Sequence, residues 1–151
     1  MEHSLEYIKN NTAGRIMSVD FGDTRTGLAL SDISRYLASG IGYVSPGGIL
    51  KTADKVAEMA VENKASAVIV GLPKNMDGSE GFRADRAKEF ADLLRERLDL
   101  PVAMFDERMT TMAASRFLNE TNTRGAKRKT VVDTLSAQII LQNVLDRLKM
   151  M

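Results

Sequence analysis

Residues 15–31 read R-I-M-S-V-D-F-G-D-T-R-T-G-L-A-L-S, a β-rich run closed by Gly22, a polar turn at Asp23-Thr24-Arg25, and a second β-rich run from Thr26. Two such runs around a short glycine-containing turn predict an antiparallel hairpin. A third strand is expected over 40–44, ended by the turn-forming Ser45-Pro46-Gly47-Gly48. On the first strand Ile16, Ser18 and Asp20 share one face while Met17, Val19 and Phe21 share the other. The hairpin therefore carries a carboxylate within a central strand.

Beyond it the period changes. Leu50, Ala53, Val56, Ala57, Ala60 and Val61 fall on one helical face, opposite Lys51, Asp54, Lys55, Glu58 and Glu62. Residues 65–72 (A-S-A-V-I-V-G-L) form a continuous apolar run of strand length that stops at Pro73, the pattern of a strand buried on both faces. After a polar loop over 74–81, a second amphipathic helix covers 82–98, with Phe82, Ala87, Phe90, Ala91, Leu94 and Leu98 inward. A further buried strand spans 102–105 and ends at Asp106. A third helix is expected over 112–118, a basic loop over 124–129, and a long last helix over 131–148. Strand–helix–strand units require right-handed crossovers and parallel pairing. The expected fold is α/β: three antiparallel strands, two parallel strands added by crossover, and helices on both faces.

The chain has 151 residues, room for one domain, with residues 1–14 expected as a flexible tail. Its 44% hydrophobic and 27% charged residues exclude a disordered or low-complexity chain. The longest stretch free of charge, 36–50, is too short for the roughly 20 residues of a membrane span, and no apolar leader core is present at the start, so the expected compartment is the cytoplasm. Without cysteine, and with His3 as the only histidine, thiolate nucleophiles, Cys-ligated metals and a Ser-His-Asp triad are excluded or improbable. Catalysis would rest on carboxylates, hydroxyls, lysines and arginines, aided by a cation that prefers oxygen ligands. The formal charge of +1 is too small to mark a nucleic-acid binder, so a basic footprint must be local.

Acids stand at three such places. Asp20 lies inside the first strand, where an ionised carboxylate is costly unless it is paired or binds metal; alternatively it accepts hydrogen bonds from its own turn. Asp106-Glu107 follow the last strand, at the edge where ligands collect in open α/β sheets, or else form a solvated strand end paired with Arg108. Asp133 completes a capping box with Thr130, yet shares a helical line with Ala137, Ile140 and Val144 that should face the sheet. Carboxylates converging from separate elements suit Mg²⁺ or Mn²⁺, and a pair of such ions serves in-line phosphoryl displacement. Arg124, Lys127, Arg128 and Lys129 supply a local basic cluster; a solvated loop is the plainer account of it.

Four motifs, V-D-F-G-D-T-R-T-G-L-A-L-S-D (19–32), V-I-V-G-L-P-K-N-M-D-G-S (68–79), F-D-E-R-M-T-T (105–111) and V-V-D-T-L-S-A-Q-I-I-L-Q (131–142), together resemble the YqgF family, also called the Holliday junction resolvase or pre-16S rRNA nuclease family. The likeness runs from Arg15 to about Leu148. It implies a ribonuclease H-like fold with a mixed five-stranded sheet, and a divalent-metal-dependent endonuclease leaving a 5′-phosphate. Its metal-binding and catalytic acids fall on Asp20, Asp106 or Glu107, and Asp133. Adjacent residues on an extended segment point oppositely, so one of Asp106 and Glu107 faces the metal and the other does not; Glu107 is preferred. In the implied mechanism Asp20 bridges two ions, the other acids complete one each, and a water bound to them attacks phosphorus. Arg25, Lys74, Arg108 and the basic cluster would position the strand through its phosphates. Two positions depart from the family pattern, Thr26 and Ser136, and neither is expected to touch the acids.

The substrates implied are a pre-16S rRNA 5′ end or a four-way DNA junction; the latter needs two sites related by a twofold axis, and monomer or homodimer is left open. A non-catalytic RNA-binding assembly factor on the same scaffold is the rival reading. The segment from Asp20 to Gly27 also looks like the phosphate hairpin of actin-like ATPases, but those proteins close two lobes around ATP and this chain has the length of one.

Overall fold

A computed structural model describes residues 1–75, 77–109 and 126–151, the side chains of 109 and 126–133 excepted. The expected helix over 112–118 lies outside the described residues. The sheet is built from β1 (Ile16–Asp20), β2 (Thr26–Ser31), β3 (Ala38–Val44), β4 (Ala67–Leu72) and β5 (Val102–Asp106), in the order β3-β2-β1-β4-β5. The pairs β1–β2 and β2–β3 are antiparallel, and β1–β4 and β4–β5 are parallel. This is the mixed five-stranded sheet expected from the change of period after the hairpins. β2 and β4 are buried along their whole length, whereas β3, at one edge, is largely open and carries a bulge opposite Leu28/Ala29 that discourages edge pairing.

The two faces of β1 sort as the alternation predicts. Met17 and Val19 pack with Phe21 against α2 (Ile49–Glu62) and α3 (Phe82–Arg97), where Phe21 stacks on Phe90 with ring centroids 4.6 Å apart. Ile16 packs on the other face with Ile69, Phe105 and the buried line Ala137, Ile140, Leu141 and Val144 of α4 (Ala126–Met150). On that face Ser18 Oγ donates to the Ala137 carbonyl at 2.6 Å, satisfying a hydroxyl that is fully buried between strand and helix.

Several expectations are corrected. Residues 1–14 do not form a free tail: Leu5–Asn11 is a helix, α1, capped by Ser4, with Ile8 fully buried in the α4 cluster and Lys9 Nζ donating to the Leu148 carbonyl at 2.6 Å. His3 is held as well, its Nδ1 accepting from the Val102 amide at 3.0 Å. Ile8, with the partly buried Leu5 one turn earlier, docks this short helix, and two apolar residues over two turns leave little periodic signal. Phe82 is not inward but 70% exposed, because it starts α3 beyond the reach of the sheet; Ala84 is buried in its stead. Leu50 and Val61 of α2 are likewise exposed, and Thr52 is buried. The last helix begins at Ala126 rather than 131, so Thr130 is an interior helical residue and no cap, and the backbone of 126–129 is helix rather than loop.

Candidate active site

The parallel strands β1, β4 and β5 end at one rim of the sheet, and Asp20 and Glu107 meet there. Parity explains the meeting. On β5, Ala103 and Phe105 face α4, and Glu107, in the short 3₁₀ turn Glu107–Met109, continues that face. On β1, Asp20 follows Ile16 and Ser18 on the same side. Between them runs β4, whose residue at the crossing is Gly71. A Cβ at that position would lie 3.0 Å from Glu107 Oε1 and 2.7 Å from Ile140 Cδ1. Only a residue without a side chain lets Glu107 reach across β4 beneath the helix.

Two carboxyls forced together away from water cannot both ionise freely. Burial pushes Asp20 up, and the hydrogen bond it accepts from Glu107, the charge of Arg83 and a hydrogen bond from Ser136 pull only part of the way back. Burial, then the charge of Asp20 and the hydrogen bond donated to it, push Glu107 up to about 7. The pair thus holds one proton, with the Glu107 carboxyl donating and the Asp20 carboxylate accepting.

Asp106 points the other way. Arg108 grips it with Nε 3.2 Å from each carboxylate oxygen and Nη2 2.8 Å from Oδ2, and its amide donates to Oδ1 at 2.9 Å. That guanidinium holds the Asp106 carboxyl below the usual carboxylate range. Arg108 also lies against the loop after β4, where a Cβ on Gly78 would be 3.4 Å from its Nη1. Of the adjacent acids, Glu107 faces Asp20 and Asp106 fastens the turn.

The position of Asp133 is on the helical backbone of α4, one turn before Ser136 and Ala137, the residues that contact Asp20 and Ser18; its side chain lies outside the described residues. Among the described residues no cluster of three or more acids or histidines suited to a metal is formed. Arg25 stands over the Tyr43 ring, 5.1 Å from its centroid, and Lys74 Nζ is 4.0 Å from Glu80 Oε1. Arg124 and the side chains of Lys127, Arg128 and Lys129 lie outside the described residues.

Of the two departures from the family pattern, Ser136 touches an acid, contrary to expectation, and Thr26 does not. Ser136 hydrogen-bonds Asp20. Thr26 closes the turn that follows it, its buried Oγ1 lying 3.4 Å from both the Gly22 amide and carbonyl. Gly22 is obligatory in that turn, since a Cβ there would meet the Arg25 carbonyl oxygen at 2.3 Å. Three further residues of the site escaped sequence reasoning. Gly71 left a signal, a glycine interrupting an otherwise apolar strand. Ser136 showed only as a departure, and Arg83, on an amphipathic helix, resembled any solvated cation.

The family model described as "RuvX: Holliday junction resolvase" matches residues 14–147. This chain belongs to that family. Relatives within reach of RuvX include proteins named "Putative pre-16S rRNA nuclease" from Pelotomaculum thermopropionicum, 41% identical over 87% of this chain and 86% of that one, and from Listeria innocua, 42% identical over 87% and 97%. Among solved structures, T. thermophilus RuvC in complex with a Holliday junction substrate superposes with a TM-score of 0.61, covering 90% of this chain and 96% of that chain at 12% identity. That last likeness places this chain in the same fold as RuvC. No helix among the described residues is long and apolar enough to cross a membrane.

Proposed function

We propose that this RuvX-family chain is a divalent-metal-dependent endonuclease that hydrolyses phosphodiester bonds in structured nucleic acid, with the 5′ end of a small-subunit rRNA precursor as the foremost substrate and a four-way DNA junction as the second. The observation that carries the reading is the Asp20–Glu107 pair at the rim of the parallel strands, with α4 laid across it. The names of the relatives support RNA, and the family description supports branched DNA.

The donor set fits a hard cation. Asp20 and Glu107 present carboxylate oxygens alone, in a place where burial disfavours their charge and the nearby Arg83 and Ser136 relieve it only in part. A dication can take the place of the shared proton. Asp20 and Glu107 would hold Mg²⁺ or Mn²⁺, with Asp133 as the third acid, and the set would serve two ions. Bound there, the metal supplies Lewis-acid stabilisation of the charge that builds on the phosphoryl oxygens and acidifies the attacking water.

The protein's own residues prepare that chemistry. Glu107 must give up its proton for the pair to ionise, so activity should rise with pH through about 7 in weakly bound metal. Ser136 holds the Asp20 carboxylate to α4, and Gly71 keeps the space open through which Glu107 reaches it. Water adds to phosphorus in line with the departing O3′, the P–O3′ bond breaks, and the products carry a 3′-hydroxyl and a 5′-phosphate. Arg25, Lys74 and the Arg124–Lys129 cluster supply phosphate contacts, which position the strand without reading its sequence.

The test is cleavage of a 5′-extended small-subunit rRNA precursor and of a four-way DNA junction by wild type and Asp20→Asn, with Mg²⁺ or Mn²⁺ and with solution mass measured in parallel. Asp20→Asn should lose more than the roughly 10–100-fold that removal of a supporting partner costs. A strictly monomeric protein that cuts only the RNA would dismiss the junction. Tight RNA binding without cleavage under either metal would return the assembly-factor reading.

A further inference from the structure

The rim has a second wall. Next to Asp20 the chain turns through Phe21, Gly22 and Asp23, and these residues form a small cleft with Arg83 and Arg86 of the first turns of α3. The two arginines are not alike. Arg86 is committed: its Nη1 is 3.0 Å from Glu89 Oε2, its Nε is 3.7 Å from Asp23 Oδ1, and its guanidinium lies over the Phe21 ring, 5.9 Å from the centroid. Phe21 in turn is fixed by its stack on Phe90. Arg83 is exposed and, among the described residues, donates to no protein acceptor and joins no ion pair. Yet it is near enough for its charge to act on both Asp20 and Glu107.

We propose that Arg83 is a phosphate-binding residue of the substrate strand, contacting a phosphate at or next to the scissile one, while Arg86 serves as the rigid, neutralised wall of the same cleft. An uncommitted guanidinium fork beside two carboxylates that would hold a dication suits one chemical partner, an anionic phosphodiester, which accepts hydrogen bonds from the fork. Asp23, the one carboxylate among the described residues that line the cleft, has its charge offset by Arg86, whose Nε is 3.7 Å from Oδ1. The inference rests on the nuclease reading for its substrate, and it adds a residue that the four motifs do not single out.

Binding of a fluorescent single-stranded RNA carrying the precursor 5′ extension, measured in EDTA across a salt series, tests it without turnover. Arg83→Ala should weaken binding about tenfold and lower the slope of log affinity against log salt by about 0.7, the share of one phosphate contact on a single strand. Arg83→Lys should keep the slope and recover part of the affinity, since charge survives and the fork does not. Lys149→Ala, at the far end of α4 over Tyr36, should match wild type. With Mg²⁺ present, Arg83→Ala should raise KM more than it lowers kcat. An Arg83→Ala protein that melts like wild type and keeps its affinity and slope overturns the inference, even if Asp20-dependent cleavage stands. An Arg83-dependent slope without any cleavage leaves the phosphate contact in place and removes the nuclease reading instead.

Discussion

Gly71 of β4 and Glu107 of the turn after β5 lie so close that a methyl group on the first would sit 3.0 Å from a carboxylate oxygen of the second. The active-site geometry therefore depends on a residue with no functional group. Gly71→Ala should push Glu107 away from Asp20 and press on Ile140, whose Cδ1 would be 2.7 Å from the new atom. Overpacking of this kind costs about 1–3 kcal/mol, so the variant should melt measurably lower and cleave far less than its loss of stability explains. Cleavage at a temperature where both proteins are fully folded separates the two effects.

The adjacent acids should differ sharply on mutation. Glu107→Gln replaces the partner of Asp20 and should reduce cleavage as Asp20→Asn does. Asp106→Asn instead loosens the grip on Arg108 and should keep most of the activity. Equal losses at the two positions, measured under one metal concentration, would contradict the assignment of Glu107 to the site.

Metal-free stability should fall as pH rises. Glu107 titrates at about 7 in the folded protein against an ordinary value of 4.5, and Asp20 is also raised, so the folded state holds its protons more tightly than the unfolded chain. Such groups stabilise most below the unfolded value and lose that contribution as pH climbs through the folded one. In EDTA, Tm should drop between about pH 5 and about pH 8, and Glu107→Gln should flatten the decline. Added Mg²⁺ should restore Tm at the alkaline end, where the acids are free to bind it. A flat wild-type profile would argue against a buried acid pair.

Ser136 lowers the Asp20 carboxyl by hydrogen bonding to it, so Ser136→Ala should move the acid limb of the pH–rate profile upward. The alkaline plateau should change little, because Ser136 is exposed and loss of its hydroxyl opens no buried space. An unchanged acid limb would mean that the hydroxyl does not act on Asp20.

Ile8 tests the docking of the N-terminal helix. It is fully buried against α4, and Ile8→Ala should cost about 2–5 kcal/mol in urea unfolding. A substitution in a loose tail would leave the transition where it was.

How far the residues alone reached depended on the range of the interaction. The alternation of Ile16, Ser18 and Asp20 with Met17, Val19 and Phe21, and the unbroken run before Pro73, stated the sheet and its parallel half, because period and burial are local properties of a strand. The absence of cysteine, the single histidine and the placement of Asp20 and Asp106-Glu107 stated the chemistry, since it could rest on nothing else. Other features were decided by contact. The tail became α1 because Ile8, with Leu5 beside it, packs on residues of α4 more than a hundred positions along the chain. The preference for Glu107 over Asp106 had no local reason; the 3₁₀ turn and the competing grip of Arg108 supply one. The approach of Glu107 to Asp20 required the empty side of Gly71, and the roles of Ser136 and Arg83 required α4 and α3 to be laid on opposite faces of one rim. Periodicity along a chain reports which face a residue occupies; which partner waits on that face is set by packing, and packing exists only once distant segments have met.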